Sequence, residues 1–277
     1  MKKMLSPLIV FTKHLQPLPL SVLAQKLAEL GAKGADLCVR SGYPVNPDNI
    51  KRKLPEACRI FQEEGLVIPL VTTPGDFTDP EKPETEKFLA ATGEAGVPLV
   101  KLGYWVRQDN GYWKTVEQIR KKLEVFSRLA EKHRVKVLIH NHSGETMGLN
   151  SCSAMNLVKG FDPRYVGIFA DTGHLSIVGE PLSMALDIIA EYWSALALKD
   201  IIRQRVLVEN RLEWRLRVVP LGEGYTDWLT LARILKDKNF TGPISFHSEY
   251  SELEIDSVID QTRMDLRFFK KLLTTVS

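Results

Sequence analysis

The sequence predicts an α/β fold: a single (β/α)8 TIM barrel over residues 1–277, with a β-hairpin insertion after its seventh strand. Eight short apolar segments alternate with helical patterns along the chain. No Gly-x-Gly-x-x-Gly follows the first segment, which removes the usual reason to prefer an open doubly wound sheet, the alternative arrangement. No linker or low-complexity segment divides the chain, so we expect one domain.

The eight predicted strands are short and almost wholly apolar, which is typical of parallel strands covered on both faces. They are Pro7–Phe11, Ala35–Val39, Val67–Val71, Leu99–Leu102, Val135–Ile139, Tyr165–Ala170, Ala195–Leu198 and Pro243–Phe246. Between them, apolar residues recur at intervals of three or four, which indicates helices. The clearest helical stripes contain Leu23, Leu27 and Leu30; Ile119, Leu123, Phe126 and Ala130; Trp228, Leu231 and Leu235; and Leu266, Phe269 and Leu273.

Residues 201–224 predict the hairpin, with strands at Val206–Val208 and Leu212–Val219 and a turn near residues 209–211. The segment holds five arginines, a residue type that binds phosphates and carboxylates through paired hydrogen bonds. Arg217 is our candidate for substrate binding from this segment. The alternative is a solvated hairpin or a contact between subunits, in a homodimer or homotetramer.

Composition excludes several classes of protein. The net charge is only +3, and Lys and Arg are spread along the chain, so we expect no nucleic-acid partner. No apolar stretch approaches the ~20 residues of a spanning helix, so we expect no membrane association. Cys38, Cys58 and Cys152 are unevenly spaced, which argues against disulfides and favours a reducing, cytoplasmic location.

Residues that can carry chemistry stand at the ends of the last four barrel strands. They are His140 and His142, Asp171 and His174, Lys199, and His247 and Glu249. The carboxyl ends of the strands of a (β/α)8 barrel meet at one face, so we expect a single active site there.

Each of these residue types suggests a role. Neutral imidazole is a common metal ligand. We expect Asp171 to be buried, and a buried carboxylate needs a cation or hydrogen-bond donors. His142 and His174 are candidates for binding substrate hydroxyls; a helix N-cap is the alternative role for Asp171. Lys199 can polarise a carbonyl or stabilise an oxyanion, and an ion pair with a neighbouring carboxylate is its alternative.

Two further features complete the predicted site. His247 and Glu249 are two residues apart and therefore share a face, so Glu249 can serve as a metal ligand or a general base. The connection at residues 103–114 is rich in aromatic side chains, and Trp105 is our candidate for stacking on a sugar ring. An ordinary packed loop is the alternative.

From residue 135 onward, five motifs follow one another. They are His-x-His at 140–142, Asp-x-Gly-His at 171–174, Lys-Asp at 199–200, Pro-Leu-Gly-Glu-Gly at 220–224 and Gly-Pro-Ile-Ser at 242–245. Their order resembles the xylose isomerase-like TIM barrels, the sugar phosphate isomerases and epimerases. Residues 140–144 and 171–174 look most similar to the inosose dehydratase-like branch.

The resemblance implies a divalent metal held by Glu, Asp, His and Glu from strands five to eight. Asp171 matches this pattern, whereas His140 and His247 stand where the two glutamates are usual, and Ala197 stands where the histidine is usual. The implied ligands are therefore His140, Asp171 and His247, with Glu249 as a further one. Imidazole donors favour Mn²⁺, Zn²⁺ or Co²⁺ over Mg²⁺. A metal-free site with Lys199 as the electrophile is the alternative.

The resemblance also implies a sugar or cyclitol isomerase or epimerase that removes a proton next to a carbonyl. Glu249, Lys199 and His247 are the expected catalytic residues. The alternatives are a dehydratase or lyase acting on a keto-sugar or inosose, a non-catalytic sugar-binding barrel, and an endonuclease for abasic sites. The nuclease needs three zinc ions and a basic face, and the sequence has too few ligands for it.

Overall fold

The computed structural model describes residues 6–276 of the chain. Eight parallel strands form a closed barrel: β1 (Leu8–Phe11), β2 (Gly34–Cys38), β3 (Val67–Thr72), β4 (Leu99–Lys101), β5 (Lys136–His140), β6 (Val166–Asp171), β7 (Trp193–Leu198) and β10 (Ile244–Phe246). Pairing of β10 with β1 closes the ring. The predicted (β/α)8 barrel is confirmed; residues 1–5 and 277 of the predicted domain lie outside the described part.

Helices surround the barrel and bury one face each. They are α1 (Leu20–Glu29), α2 (Ile50–Glu63), α3 (Pro83–Glu94), α4 (Tyr112–His133), α5 (Ser151–Val158), α6 (Thr172–Ile177), α7 (Leu182–Ile188), α8 (Trp228–Asp237) and α9 (Ile255–Thr275). The predicted stripes are buried against the strands, as Leu27, Leu123 and Leu231 illustrate. Within residues 6–276, no helix combines the length and apolar character needed to cross a membrane.

Two layers of apolar side chains hold the barrel together. The larger layer lies between the strands and the helices. The smaller one fills the barrel interior and contains Ile9, Leu70, Leu138, Phe169, Ala195 and Ala197. Buried polar groups gather above this plug, at the carboxyl ends of the strands.

The predicted hairpin follows β7 directly and consists of β8 (Asp200–Val208) and β9 (Arg211–Val219). Glu209 and Asn210 form its turn, both with positive φ (46° and 63°), as a two-residue hairpin turn requires. β8 begins six residues earlier than predicted, because exposed polar residues at 203–205 join the strand by pairing with β9. One face of the hairpin exposes the large apolar side chains Leu207, Leu212, Trp214 and Leu216.

Asp200 anchors the return of the chain from the hairpin to α8. Its carboxylate accepts hydrogen bonds from the backbone N–H groups of Gly222, Gly224 and Thr226, and from the Trp228 indole. A Cβ at Gly224 would lie 2.1 Å from Asp200 Oδ1, so only glycine fits this approach. The Pro-Leu-Gly-Glu-Gly motif is therefore a structural turn around a buried carboxylate.

Candidate active site

The structure brings six predicted site residues into one buried cluster at the carboxyl ends of β5, β6, β7 and β10. They are His140, Asp171, His174, Lys199, His247 and Glu249. His140 and Asp171 are the last residues of β5 and β6, and Lys199 and His247 directly follow β7 and β10. His174 lies in the first turn of α6, and Glu249 lies in the loop after β10. These side chains meet because the strand ends of the barrel converge, which is the reason for which the sequence predicted a single site.

His140, Asp171 and His247 form the centre of the cluster. Asp171 Oδ2 lies 3.3 Å from His140 Nε2 and 3.9 Å from His247 Nδ1. Each residue offers one ligand atom, and these atoms lie within 4.8 Å of one another. Within the described part of the chain, His140 Nε2, Asp171 Oδ2 and His247 Nδ1 are buried without a hydrogen-bond partner. Three convergent, unpartnered donor atoms fit a divalent metal with open coordination positions.

The protonation states of His140 and Asp171 also suit metal binding. Burial lowers the pKa of His140 to about 3, so its imidazole is neutral and keeps a lone pair. Burial alone would raise the pKa of Asp171, but the Lys199 ammonium holds it well below its ordinary value. Asp171 also caps α6, since its Oδ1 accepts from the His174 backbone N–H at 3.1 Å. The helix cap uses Oδ1 and leaves Oδ2 for the cluster.

Lys199 supplies a buried cation beside the centre. Its Nζ lies 3.5 Å from Asp171 Oδ2, contacts Glu249 Oε2, and lies 3.4 Å from His174 Nε2. Burial opposes the charge, yet the two carboxylates raise the pKa of Lys199 above its ordinary value. Glu249 also accepts a hydrogen bond from Lys13 Nζ at 2.6 Å. It is thus an ionised carboxylate between two lysines, and together they hold its pKa well below the usual range.

His142 and His174 form one wall of the site. Their rings lie 3.9 Å apart, and Ser143 Oγ is 2.9 Å from His174 Nδ1. Burial lowers the pKa of both imidazoles, so both are neutral at physiological pH. Neutral imidazoles beside Lys199 can donate or accept hydrogen bonds with hydroxyl groups.

Trp105 and Arg217 lie outside the cluster. Trp105 packs edge-on against Phe126, with ring centroids 6.3 Å apart, and lines a cavity of about 620 Å³ beside α4. Arg217 is exposed on the hairpin and pairs with Glu252, 3.2 Å away, in the loop after β10. Neither forms a hydrogen bond or ion pair with the cluster among the described residues. Their binding of substrate stays a prediction.

Sequence reasoning did not assign several residues that the structure places at the site. Tyr104 OH lies 2.8 Å from His140 Nδ1, and Asp36 Oδ2 lies 3.4 Å from His247 Nε2. Lys101 places its Nζ 3.7 Å from the centroid of the Tyr104 ring, and burial lowers its pKa to about 7. A carboxylate in the middle of the apolar β2 strand was an available signal for Asp36, because such a group needs partners.

Comparison with known proteins gives the chain a family. The model of the xylose isomerase-like TIM barrel matches residues 24–272. No curated protein matches the sequence significantly.

Solved structures of similar fold include D-psicose 3-epimerase from Clostridium cellulolyticum H10, with 14% identity and a TM-score of 0.70 over 96% of this chain and 99% of that one. The 3-keto-D-glucoside 4-epimerase of E. coli has 15% identity and a TM-score of 0.72 over the same shares of the two chains. A xylose isomerase domain protein from Planctomyces limnophilus has 16% identity and a TM-score of 0.70 over 97% and 96%. At these identities the likeness shows a shared fold, and together with the family model it shows that the chain belongs to the xylose isomerase-like TIM barrel family.

Proposed function

We propose that the protein is a sugar or cyclitol isomerase or epimerase that removes a proton from a carbon next to a carbonyl, with the help of a divalent metal. The observation that carries this proposal is the buried cluster in which a protonated lysine and an ionised glutamate adjoin two imidazoles and an aspartate. A proton acceptor beside groups that stabilise an oxyanion is what enolate formation needs. Two structural neighbours are sugar epimerases, which supports a small carbohydrate as substrate.

His140, Asp171 and His247 would hold the metal. Glu249 is a candidate fourth ligand, because its Oε2 lies 3.9 Å from His247 Nδ1. When bound, the metal would polarise the substrate carbonyl as a Lewis acid. The two imidazole donors favour Zn²⁺, Co²⁺ or Mn²⁺ over Mg²⁺.

Lys199 and Glu249 would carry the proton transfer. The Lys199 ammonium can donate a hydrogen bond to the carbonyl oxygen and to the enolate that replaces it. A substrate oxygen that takes over this contact leaves Glu249 with Lys13 as its remaining lysine partner. The loss of one cationic neighbour raises the pKa of Glu249, so substrate binding makes it a stronger base. His142 and His174, on the wall beside Lys199, would bind substrate hydroxyls.

A dehydratase or lyase acting on a keto-sugar or inosose would share the enolate step. The two reactions diverge once the enolate has formed: an epimerase returns the proton to carbon, whereas a dehydratase expels a hydroxyl from the neighbouring carbon. Product analysis of the same reaction mixture therefore separates them.

The test is proton exchange at the substrate α-carbon, followed by NMR in D₂O with ketoses, inososes and 3-keto-glycosides. Glu249→Gln should bind substrate and lose about 10²–10⁴-fold in exchange rate, as expected for removal of a positioned base. Glu252→Gln is the matched control, because Glu252 lies in the same loop but is exposed and pairs with Arg217. Absence of exchange with every substrate class in the wild type contradicts the proposal. Undiminished exchange in Glu249→Gln assigns the base elsewhere, with His247 the next candidate.

A further inference from the structure

Asp36 is a fully buried carboxylate to which the proposed reaction gives no role. Thr72 Oγ1 donates to its Oδ1 at 2.6 Å, and Ser245 Oγ donates to its Oδ2 at 3.1 Å. These partners come from β3 and β10, so the orientation of the carboxylate is fixed from two directions. Each carboxylate oxygen can accept two hydrogen bonds, so Oδ2 can accept one more besides that from Ser245.

The imidazole of His247 lies next to Asp36 Oδ2. His247 Nε2 is 3.4 Å from Asp36 Oδ2, an approach that falls short of a hydrogen bond, and the ring stacks on Phe11 with centroids 4.4 Å apart. The other nitrogen, Nδ1, is 3.9 Å from Asp171 Oδ2. Nδ1 is also 3.9 Å from Glu249 Oε2. Nε2 therefore faces one carboxylate and Nδ1 faces two, and the nearest of the three is that of Asp36.

Which nitrogen carries the proton decides what His247 can do. A carboxylate only accepts hydrogen bonds, so Asp36 favours an N–H on Nε2. When Nε2 carries the only ring proton, the lone pair is on Nδ1, the atom that points to Asp171. A proton on Nδ1 would instead block this atom as a metal ligand.

We infer that Asp36 is a positioning residue that fixes the tautomer of His247, with the proton on Nε2 and the lone pair on Nδ1. Its consequence for metal binding rests on the proposed function, whereas the tautomer is a property of the chain alone. The hydroxyls of Thr72 and Ser245 contribute by holding the carboxylate, and within residues 6–276 neither donates a hydrogen bond to a proposed metal ligand.

The first test needs no variant. The ¹⁵N shifts of the His247 ring, assigned with the help of His247→Gln, should show Nε2 protonated and Nδ1 unprotonated in metal-free wild-type protein at pH 7.5. A dominant Nδ1–H tautomer in the wild type would overturn the inference.

The second test is Asp36→Asn. The Thr72 hydroxyl should keep the amide oxygen at the Oδ1 position, which places the amide NH₂ against Nε2 and moves the ring proton to Nδ1. The dissociation constant for Co²⁺, followed by its visible absorption, should rise about 10–100-fold. A variant that keeps the wild-type tautomer would refute the role of Asp36.

Thr72→Val is the matched control, since it removes one hydrogen bond to Asp36 and keeps the carboxylate. It should keep the wild-type tautomer and a Co²⁺ affinity close to that of the wild type. The same change of tautomer in Thr72→Val would show that any disturbance of this region changes the His247 tautomer, whether or not the Asp36 carboxylate is present. Failure of wild-type protein to bind Co²⁺ would contradict the proposed metal, while the ¹⁵N shifts would still decide the role of Asp36.

Discussion

Replacing Lys199 by methionine removes the ammonium that lies between two buried carboxylates and keeps a side chain of similar length. Lys199 is 5% exposed, and its Nζ contacts Glu249 and lies 3.5 Å from the fully buried Asp171. Removal of one partner from a buried ion pair leaves an uncompensated charge, which costs about 3–5 kcal/mol. At ~2–4 °C per kcal/mol for a chain of this size, Tm should fall by roughly 6–20 °C.

The pH dependence of this loss has a definite sign. The pKa values of Asp171 and Glu249 are depressed in the folded protein, so their stabilisation is complete above their unfolded values of about 4 and is lost as pH falls through the folded ones. Without Lys199, burial raises the pKa of both groups, so a lower pH protonates both carboxylates. Their uncompensated charges then cost the variant less stability. The difference in stability between wild type and variant should therefore be smaller at pH 5 than at pH 7.5.

Urea denaturation of EDTA-treated wild type and Lys199→Met, at both pH values, measures this difference. Glu249→Gln in the Lys199→Met background should recover part of the loss, because it removes one of the two uncompensated charges. A loss of less than about 1 kcal/mol in the free energy of unfolding at pH 7.5 would refute the reasoning, because exposed surface ion pairs contribute no more than that. An equal loss at both pH values would refute the assignment of the effect to the carboxylates.

Two further predictions concern the metal and the turn before α8. Protein purified without chelator should contain about one Zn, Co or Mn ion per chain by elemental analysis, and Asp171→Ala should contain almost none. Equal metal content in the two proteins would contradict the ligand role of Asp171. Asp200→Ala should lower the free energy of unfolding by about 2–4 kcal/mol, because backbone N–H groups within residues 222–226 and the Trp228 indole lose their acceptor. Chemical denaturation tests this, and an unchanged midpoint would contradict it.

Much of the fold can be predicted from local sequence patterns. Barrel strands are buried on both faces, so each appears as a short apolar run, and the structure has a strand at every such run. The first half of β8 could not be found this way. Residues 200–205 are mostly polar, and their strand depends on register with β9, which is not a local property.

The site was predictable to the level of its location. His140, Asp171, Lys199 and Glu249 meet because strand ends of a closed barrel converge. Sequence reasoning could not show that Lys13 shares Glu249 with Lys199, since that contact depends on how β1 meets β10 when the ring closes.

Asp36 is a different case. The argument that singled out Asp171, that a carboxylate in an apolar strand must have partners, applies equally to Asp36 within β2. Its partner His247 lies more than two hundred residues away in sequence, so the pairing itself required the three-dimensional structure.

The two ends of the hairpin lie side by side, where the chain leaves the barrel and returns to it. Ile201 faces Val218 across the ladder, so residues 202–217 form an excursion whose two ends are about one strand spacing, ~5 Å, apart. Within the described residues its strands pair only with each other, and no barrel strand takes its register from them. Evolution can therefore lengthen, trim or replace this arm while the barrel keeps its strand order and the spacing of the carboxyl ends of its strands.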